Sequence, residues 1–323
     1  MERALEPPIV AAKTRDANWS LGAAFVVMVV VFAVGPFVVY PVFLMKALCF
    51  ALFACAFNLL IGYGGLASFG HALFFGWASY VTACTAKTWG WPPEFALVAG
   101  TATAAVLGVV AGGLAIRRQG IYFAMITLAL SQMMYFFALE AKFTGGEDGI
   151  QGVPRGRLFG LFDLSHEMTM YFFVLIVFLA GFLLIYRIIN SPFGEVLKAI
   201  RENEPRTISL GYKTERYKLV AFVLSATLSG LAGGLNSLVF QLASLTDVHW
   251  TMSGDVLLMT LLGGLGTVFG PVVGAFIVIA MQNYLAPFGQ WVLVIQGAIF
   301  VVCVLLFRRG IVGEIAQLLR VPL

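Results

Sequence analysis

The stretch YFFVLIVFLAGFLLIYRII, residues 171–189, decides the fold class of this chain. It contains one charged side chain, Arg187, close to the end of the run. A helix needs about 20 apolar residues to cross the hydrocarbon core of a bilayer. Residues 19–40 and 94–115 form apolar runs of similar length. The apolar residues are continuous rather than alternating, which favours membrane helices over the strands of a barrel.

The whole chain has the composition of an integral membrane protein. Of its 323 residues, 60% are hydrophobic and 11% are charged, and the mean hydropathy is +0.94. We therefore predict an all-α, polytopic helical membrane protein with about 8–10 transmembrane segments, some of them broken by glycine. The candidate segments are residues 19–40, 42–61, 71–86, 94–115, 120–139, 169–189, 218–240, 252–264, 268–286 and 289–307. The segment 252–264 is short and contains Asp255, so it is either re-entrant or half of a broken helix.

The positions of Lys and Arg predict the orientation. If the N-terminus is placed inside, fifteen of the 20 basic residues fall on the cytoplasmic side, as the positive-inside rule requires. This predicts a cytoplasmic tail over 1–18, a transmembrane region over 19–307 and a cytoplasmic tail over 308–323. Residues 140–168 then form a periplasmic loop and residues 190–217 a cytoplasmic one. The N-terminus does not resemble a cleaved signal, because acidic residues dilute its positive charge.

Residues that carry catalysis or bind metals are sparse. The chain has three histidines, which are not spaced for a Ser-His-Asp triad or a His-based metal site, and it lacks a P-loop. Its four cysteines lie in apolar runs and are expected to pack there. We expect no enzymatic activity, cofactor, metal or nucleic-acid partner. No acidic residue lies centrally in a long span, which disfavours coupling to an ion gradient.

Two similar glycine-rich stretches interrupt the apolar runs. GYGGLASFGHALFFG, residues 62–76, and GGLGTVFGPVVGAF, residues 263–276, share a GGL start, a hydroxyl residue and a Phe-Gly pair. Such breaks leave backbone groups unpaired inside a helix bundle, where transporters bind polar solutes. Alternatively, the glycines only let helices approach closely, as at the G-x-x-x-G pairs Gly108/Gly112, Gly230/Gly234, Gly266/Gly270 and Gly270/Gly274. The predicted topology places both breaks on the cytoplasmic side, whereas an inverted repeat would place them on opposite sides.

These breaks and the other polar residues in apolar runs give candidates for a translocation path. Polar groups in spanning helices usually face the bundle interior, where they bond to other helices or line a path. The candidates are Gly64, Gly65, Ser68, His71, Thr127, Gln132, Asn236, Thr260, Gly264 and Thr267.

A polar stretch, NSPFGEVLKAIRENEPRTISLGYKTERYK (residues 190–218), directly follows the opening run and carries ten charged side chains. Its first half predicts an amphipathic helix in which Val196, Ala199, Ile200 and Asn203 share one face.

The second half of this stretch predicts another short helix. Pro205 suits a first turn, Asn203 or Glu204 can cap it, and Gly211 suits the left-handed position after its end. Two short helices between spans indicate a docking surface, and the alternative is an ordinary solvated loop.

Several motifs together resemble the permeases of branched-chain amino acid ABC importers, with the M-type subunit more similar than the H-type. They are Gly194-x3-Lys198-Ala199-Ile200-Arg201-Glu202-Asn203-Glu204-x6-Gly211, followed by AFVLSATLSGLAGGL, and also NLLIGYGGLASFGHALFFGWASY, GIYFAMITLALSQM, TGGEDGIQGVP and LLGGLGTVFGPVVGA. They occur in the family's order over roughly residues 45–307.

The resemblance implies a subunit of an inner-membrane importer. Its partners would be two cytoplasmic ABC ATPases, a second H-type permease, a periplasmic solute-binding protein and membrane lipid. By the same resemblance, the ATPase contacts would come from Gly194, Glu195, Lys198, Ala199, Arg201, Glu202, Asn203, Glu204 and Gly211. Pro205 and Arg206 depart from the family's usual small or acidic residues.

The solute stays open at this point. Branched-chain or related hydrophobic amino acids are the first expectation, and urea, short amides or other small acids are the alternative. A secondary transporter that works without partners is a further hypothesis from a different class.

Overall fold

The computed structural model describes residues 10–289, 291–306 and 310–319, and most of them are helical. The helices are α1 (Val10–Val34), α2 (Pro41–Asn58), α3 (His71–Thr88), α4 (Pro93–Ala115), α5 (Ile121–Glu140), α6 (Glu167–Ile189), α7 (Pro192–Glu202), α8 (Glu204–Ser209), α9 (Thr214–Phe240), α10 (Trp250–Gly263), α11 (Gly270–Leu285), α12 (Trp291–Leu306) and α13 (Gly310–Leu319). Four two-residue strands are β1 (Ile150–Gln151), β2 (Arg157–Leu158), β3 (Phe162–Asp163) and β4 (Leu242–Ala243).

The helices confirm the polytopic all-α class. Six are long and apolar enough to cross a membrane: Pro41–Tyr63, Pro93–Ala115, Ile121–Glu140, Glu167–Ile189, Thr214–Phe240 and Gly270–Phe288. Shorter apolar helices cover Gly22–Phe37 and Val294–Cys303. Each of the ten predicted segments coincides with a helix. Helix α1 already begins at Val10, within the predicted N-terminal tail, and α13 lies within the predicted C-terminal tail. The remaining tail residues, 1–9 and 320–323, and residues 307–309 lie outside the described residues.

Helix α2 occupies the centre of the bundle. Together with a turn of π-helix over Leu59–Tyr63, it is 89% buried within its most apolar window, more than any of the other five long helices. It packs against α6, α9, α10 and α11. Helix α5 is 22% buried by the same measure and lies at the periphery.

Helices α10 and α11 form a tight antiparallel hairpin. A Cβ built on Gly263 would lie 1.9 Å from the carbonyl oxygen of Gly270, and one on Gly274 would lie 1.9 Å from that of Met259. Only glycine therefore permits this approach. With 14 residues, α10 is about 21 Å long, which is shorter than the hydrocarbon core. The short segment predicted at 252–264 is thus one arm of a hairpin that turns at the second glycine break.

The predicted G-x-x-x-G pairs of α4 and α9 face each other. Gly108 of α4 lies against Ala226 of α9, and Gly230 of α9 lies against Ala104 of α4, at 2.8 and 2.2 Å from the added Cβ. Close packing therefore accounts for the pairs in α4 and α9. The hydroxyl of Thr82 on α3 approaches Gly234 in the same way.

The two ends of the bundle differ. Residues 62–70, α7, α8 and residues 263–270 lie at one end, called here the α7–α8 end. The connection between α5 and α6, residues 141–166, is called here the long loop and lies at the opposite end. Its strand β1 pairs antiparallel with β4, which follows α9, through Ile150 and Ala243. Strands β2 and β3 form a separate hairpin in the same loop.

Candidate functional site

The polar stretch folds into two short capped helices. The hydroxyl of Ser191 accepts a hydrogen bond from the Gly194 amide at the start of α7, and Pro192 occupies the first turn. At the start of α8, Oδ1 of Asn203 accepts from the Arg206 amide at 3.1 Å. Gly211 takes the left-handed conformation after α8, with φ of +88°. The predicted helix pair is confirmed, with Asn203 as the cap of α8 and Gly211 in the left-handed position; the cap formed by Ser191 was not predicted.

The buried face of α7 differs from the predicted one. Gly194, Leu197 and Ile200 are buried, whereas Ala199 and Asn203 are exposed. Gly194 sets this rotation, because a Cβ there would lie 2.1 Å from the carbonyl oxygen of Ile189 at the end of α6. The sequence pattern does not contain this contact with α6, and the prediction for Ala199 and Asn203 was wrong.

The exposed face of α7 carries charges of both signs. Glu195, Ala199 and Glu202 are exposed, and Lys198 forms an ion pair with Glu195 at 2.8 Å. This pair is open to solvent and contributes little to stability. Its side chains therefore remain available to a partner surface.

Glu204 is bound within the chain. Both of its carboxylate oxygens accept hydrogen bonds from Lys218 at 2.5 and 2.6 Å, and Gln119 donates to Oε2 at 2.9 Å. Lys218 is buried, and Glu204 is the counterion of its ammonium group. The three residues join the connection between α4 and α5 to α8 and α9.

A cavity of about 230 Å³ lies beside this ion pair. Gly64 and Gly65 of the first break line it, together with Leu66, Gln119, Gly120, Ile200, Arg201, Glu204 and Lys218. The same cavity is therefore lined by two predicted path residues, Gly64 and Gly65, and by two predicted coupling residues, Arg201 and Glu204.

Arg201 connects α7 with the first glycine break. Its guanidinium donates a hydrogen bond to the carbonyl oxygen of Gly62, and its side-chain stem lies against Gly65. Gly65 has φ of +69°, a conformation that glycine adopts without strain.

The two glycine breaks meet at Asn58. The side-chain Nδ2 of Asn58 donates to the carbonyl oxygen of Thr267 at 2.9 Å, and Oδ1 accepts from the Gly266 amide at 3.0 Å. Asn58 was not among the path residues predicted from the sequence. The available signal was its position four residues before Gly62, which places both on one face of the same helix.

Other predicted path residues stabilise the backbone around the breaks. Thr127 of α5 accepts from the Phe69 amide at 3.2 Å, and Ser68 accepts from the Gly70 amide at the same distance. In the second break, Thr267 donates to the carbonyl oxygen of Gly264 and accepts from the Gly270 amide.

His71 is fully buried where α2, α3 and α9 meet. Its Nε2 lies 2.9 Å from the Ser225 hydroxyl, which itself donates to the carbonyl oxygen of Ala56. Nε2 therefore carries the hydrogen, and the side chain of His71 has no hydrogen-bond partner at Nδ1. The rings of Phe57, Phe74 and Phe222 enclose the imidazole.

The remaining path candidates lie outside the cluster at Asn58. Thr260 is buried on α10 and donates to the carbonyl oxygen of Val256 at 2.6 Å. Gln132 is half-buried on α5, and Asn236 is buried on α9 with its Oδ1 unpartnered. Both lie further along their helices towards the opposite end.

The sequence prediction named Asp255 but not the group of charges around it, which Lys46 and Asp247 complete towards the opposite end. Asp247, in the connection from α9 to α10, is buried and accepts from the Ser244 amide at 3.4 Å. Burial raises the pKa of Asp247 to about 6, and the hydrogen bonds with Ser244 and the Lys46 charge oppose that rise. Asp255 of α10 contacts Gln282 of α11 at 3.5 Å. Among the described residues, no three His, Cys, Asp or Glu side chains come together in a way that could hold a metal ion.

A bundle of apolar helices with glycine breaks and a polar helix pair at one end defines a multi-pass membrane protein with features of a permease. The chain belongs to the family of permease components of the branched-chain amino acid transport system, whose model matches residues 39–304.

The individual relatives share less than a third of their aligned residues with this chain. The chain is 26% identical to the high-affinity branched-chain amino acid transport system permease protein LivM of Escherichia coli over 79% of its own length, and it spans 65% of that relative. It is 29% identical to a probable branched-chain amino acid transport permease protein LivH of Methanocaldococcus jannaschii, over 48% of this chain and 51% of that one. It is 26% identical to the ribose import permease protein RbsC of Bacillus subtilis, over 56% of this chain and 58% of that one. No solved structure matches.

Proposed function

We propose that the chain is the transmembrane permease subunit of an ATP-driven importer for branched-chain or related hydrophobic amino acids in a bacterial inner membrane. The family match over residues 39–304 carries this proposal. The subunit is non-catalytic, because a separate chain hydrolyses ATP. Its partners are two cytoplasmic ABC ATPases, an H-type permease subunit and a periplasmic binding protein.

The loop of residues 190–217 is the docking site for the ATPase. Support comes from the exposed face of α7, where Glu195, Lys198 and Glu202 present both signs of charge around the small Ala199. A mixed-charge surface favours one orientation of a complementary partner. Binding and hydrolysis of ATP would move α7 and switch the permease between outward and inward access.

The docking assignment is tested by charge reversal on α7. Glu202→Lys should lower capture of the ATPase subunit in a pulldown by about tenfold, since like charges placed in an interface are costly. Lys142→Glu is the matched control, because Lys142 is exposed in the long loop at the opposite end. Unchanged ATPase capture and full uptake by Glu202→Lys would remove α7 as the docking helix.

The solute is tested in proteoliposomes that contain both permeases, the ATPases and the binding protein. ATP-dependent accumulation of labelled leucine is expected. Accumulation of urea or a short amide instead would change the solute and keep the importer class. One similar protein is a ribose import permease, so labelled solutes other than amino acids are included in the assay. Uptake by the isolated chain, driven by an ion gradient without ATP, would replace the proposal with a secondary transporter.

A further inference from the structure

We propose that the two glycine breaks form a single gate, which Asn58 holds closed and Arg201 ties to α7. The inference rests on the proposed function in one respect, namely that α7 is the helix on which the ATPase acts. It assigns positioning roles to Asn58 and Arg201 in the transport cycle.

Asn58 bridges the gate with both halves of its amide. Its donor and its acceptor each bond to the backbone of the second break, 2.9 and 3.0 Å away. The side chain is only 3% exposed, so few waters can replace these bonds in the closed arrangement. An aspartate of the same shape cannot donate to the carbonyl of Thr267, and its charge would face that oxygen.

Gly62 permits this closure because it has no side chain. A Cβ at Gly62 would lie 2.1 Å from Oδ1 of Asn58 and 2.8 Å from the Gly266 amide nitrogen. The amide of Leu66 bonds to the carbonyl of Leu60 instead of Gly62. The Gly62 carbonyl therefore accepts no bond from the Leu66 amide. It lies at a helix end, where a cationic side chain is a favourable donor.

Arg201 supplies that cation from α7 and also reaches the second break. Its guanidinium bonds to Gly62, and its Nη1 lies 3.3 Å from a Cβ built on Gly266. A displacement of α7 must therefore either move the first break with it or break this hydrogen bond. The cavity lined by Gly64, Gly65 and Arg201 adjoins the same residues, so separation of the breaks would extend that cavity towards α2.

The first test measures opening of the gate in the assembled importer. A cysteine is introduced as Ser68→Cys, within the first break, and is labelled with a membrane-impermeant maleimide. The native cysteines alone give the background. In this background, Asn58→Asp should accelerate labelling at least about tenfold, since the bond to the Thr267 carbonyl is lost and the new carboxylate faces that oxygen. Asn283→Asp, at an exposed position of α11, is the control and should leave the rate unchanged.

The second test measures coupling as ATP hydrolysed per solute carried. Asn58→Asp and Arg201→Gln should raise this ratio at least about fivefold, and Arg201→Lys should restore part of the coupling because it keeps a donor and a charge. A proportional fall of uptake and hydrolysis together with lower thermal stability would reduce both residues to structural roles and overturn the inference. Unchanged labelling and coupling in variants of native stability would also overturn it.

The two tests separate this inference from the proposed function. Labelling is measured without ATP, so it reports on Asn58 even if ATP drives no uptake by the unmodified complex. Absence of ATP-driven uptake would refute the importer, whereas normal uptake with unaltered labelling in Asn58→Asp would refute only the gate.

Discussion

Glu204 and Lys218 form an ion pair that is largely closed to water. Their side chains are 17% and 5% exposed, and Lys218 reaches both carboxylate oxygens at 2.5 and 2.6 Å. Glu204→Gln removes the countercharge but keeps one acceptor oxygen and nearly the same volume. Removal of one partner from a buried pair costs about 3–5 kcal/mol. Because Glu204 is partly accessible and the glutamine still accepts one bond, we expect a loss of roughly 3 kcal/mol.

The assay is unfolding of the purified chain in detergent, followed by tryptophan fluorescence. Glu204→Gln should lower the melting temperature on the order of 5 °C. The double variant Glu204→Gln/Lys218→Met should recover most of this loss, because it removes the buried charge that lacks a partner.

A solvent-exposed ion pair on α7 gives the matched control. Glu195 and Lys198 have side chains 67% and 37% exposed, so Glu195→Gln should cost at most about 0.5 kcal/mol. Equal losses for Glu204→Gln and Glu195→Gln would refute the reasoning from burial. A double variant with the summed loss of the two single variants would refute the assigned pairing.

Three further outcomes follow from packing and burial. Gly230→Ala places a carbon 2.2 Å from a side chain of α4 and should destabilise the chain by about 1–3 kcal/mol in the same unfolding assay. Gly113→Ala is the control and should be nearly neutral, because its Cβ would meet open space. Burial raises the pKa of Asp247 from 3.8 to about 6, so the folded chain binds a proton that the unfolded chain has released at pH values between these two. The free energy of unfolding should therefore fall as the pH rises from about 4 to 6. Asp247→Asn should remove most of this pH dependence and stabilise the fold at pH 7. Cys49 and Cys55 are buried and should react with a permeant maleimide only upon unfolding.

Each of these outcomes has a clear contradiction. Equal stability of the Gly230→Ala and Gly113→Ala variants would contradict the tight contact of α9 with α4. An unchanged pH slope in Asp247→Asn would show that other groups carry it. Rapid labelling of Cys49 in the folded chain would contradict the central position of α2.

The sequence predicted the helices well because long apolar runs have few alternatives in a bilayer. It also predicted the helix pair after α6, since Asn203, Pro205 and Gly211 are local signals. It did not predict which face of α7 is buried, because Gly194 against α6 is a tertiary contact. For the same reason the roles of Asn58 and of Lys218 were missed: each depends on a partner distant in the sequence.

The two breaks show the same limit. Their shared GGL pattern identified both as special, and the distribution of basic residues placed them on one side. The contact between the two breaks could not be predicted, because the hydrogen bonds of Asn58 join residues that are 208 and 209 positions apart in the sequence. A single sequence contains local propensities but does not specify such pairings.

Helix α9 has a mechanical consequence for the whole chain. Its 27 residues form a rod of about 40 Å. One end holds Lys218, bound to α8, and the other leads into β4, which is paired with the long loop at the opposite end. A tilt of about 5° about one end would displace the other by roughly 3.5 Å for a rod of this length. A rigid tilt of α9 would therefore carry a displacement from one end of the bundle to the other without any change in the fold of the helix.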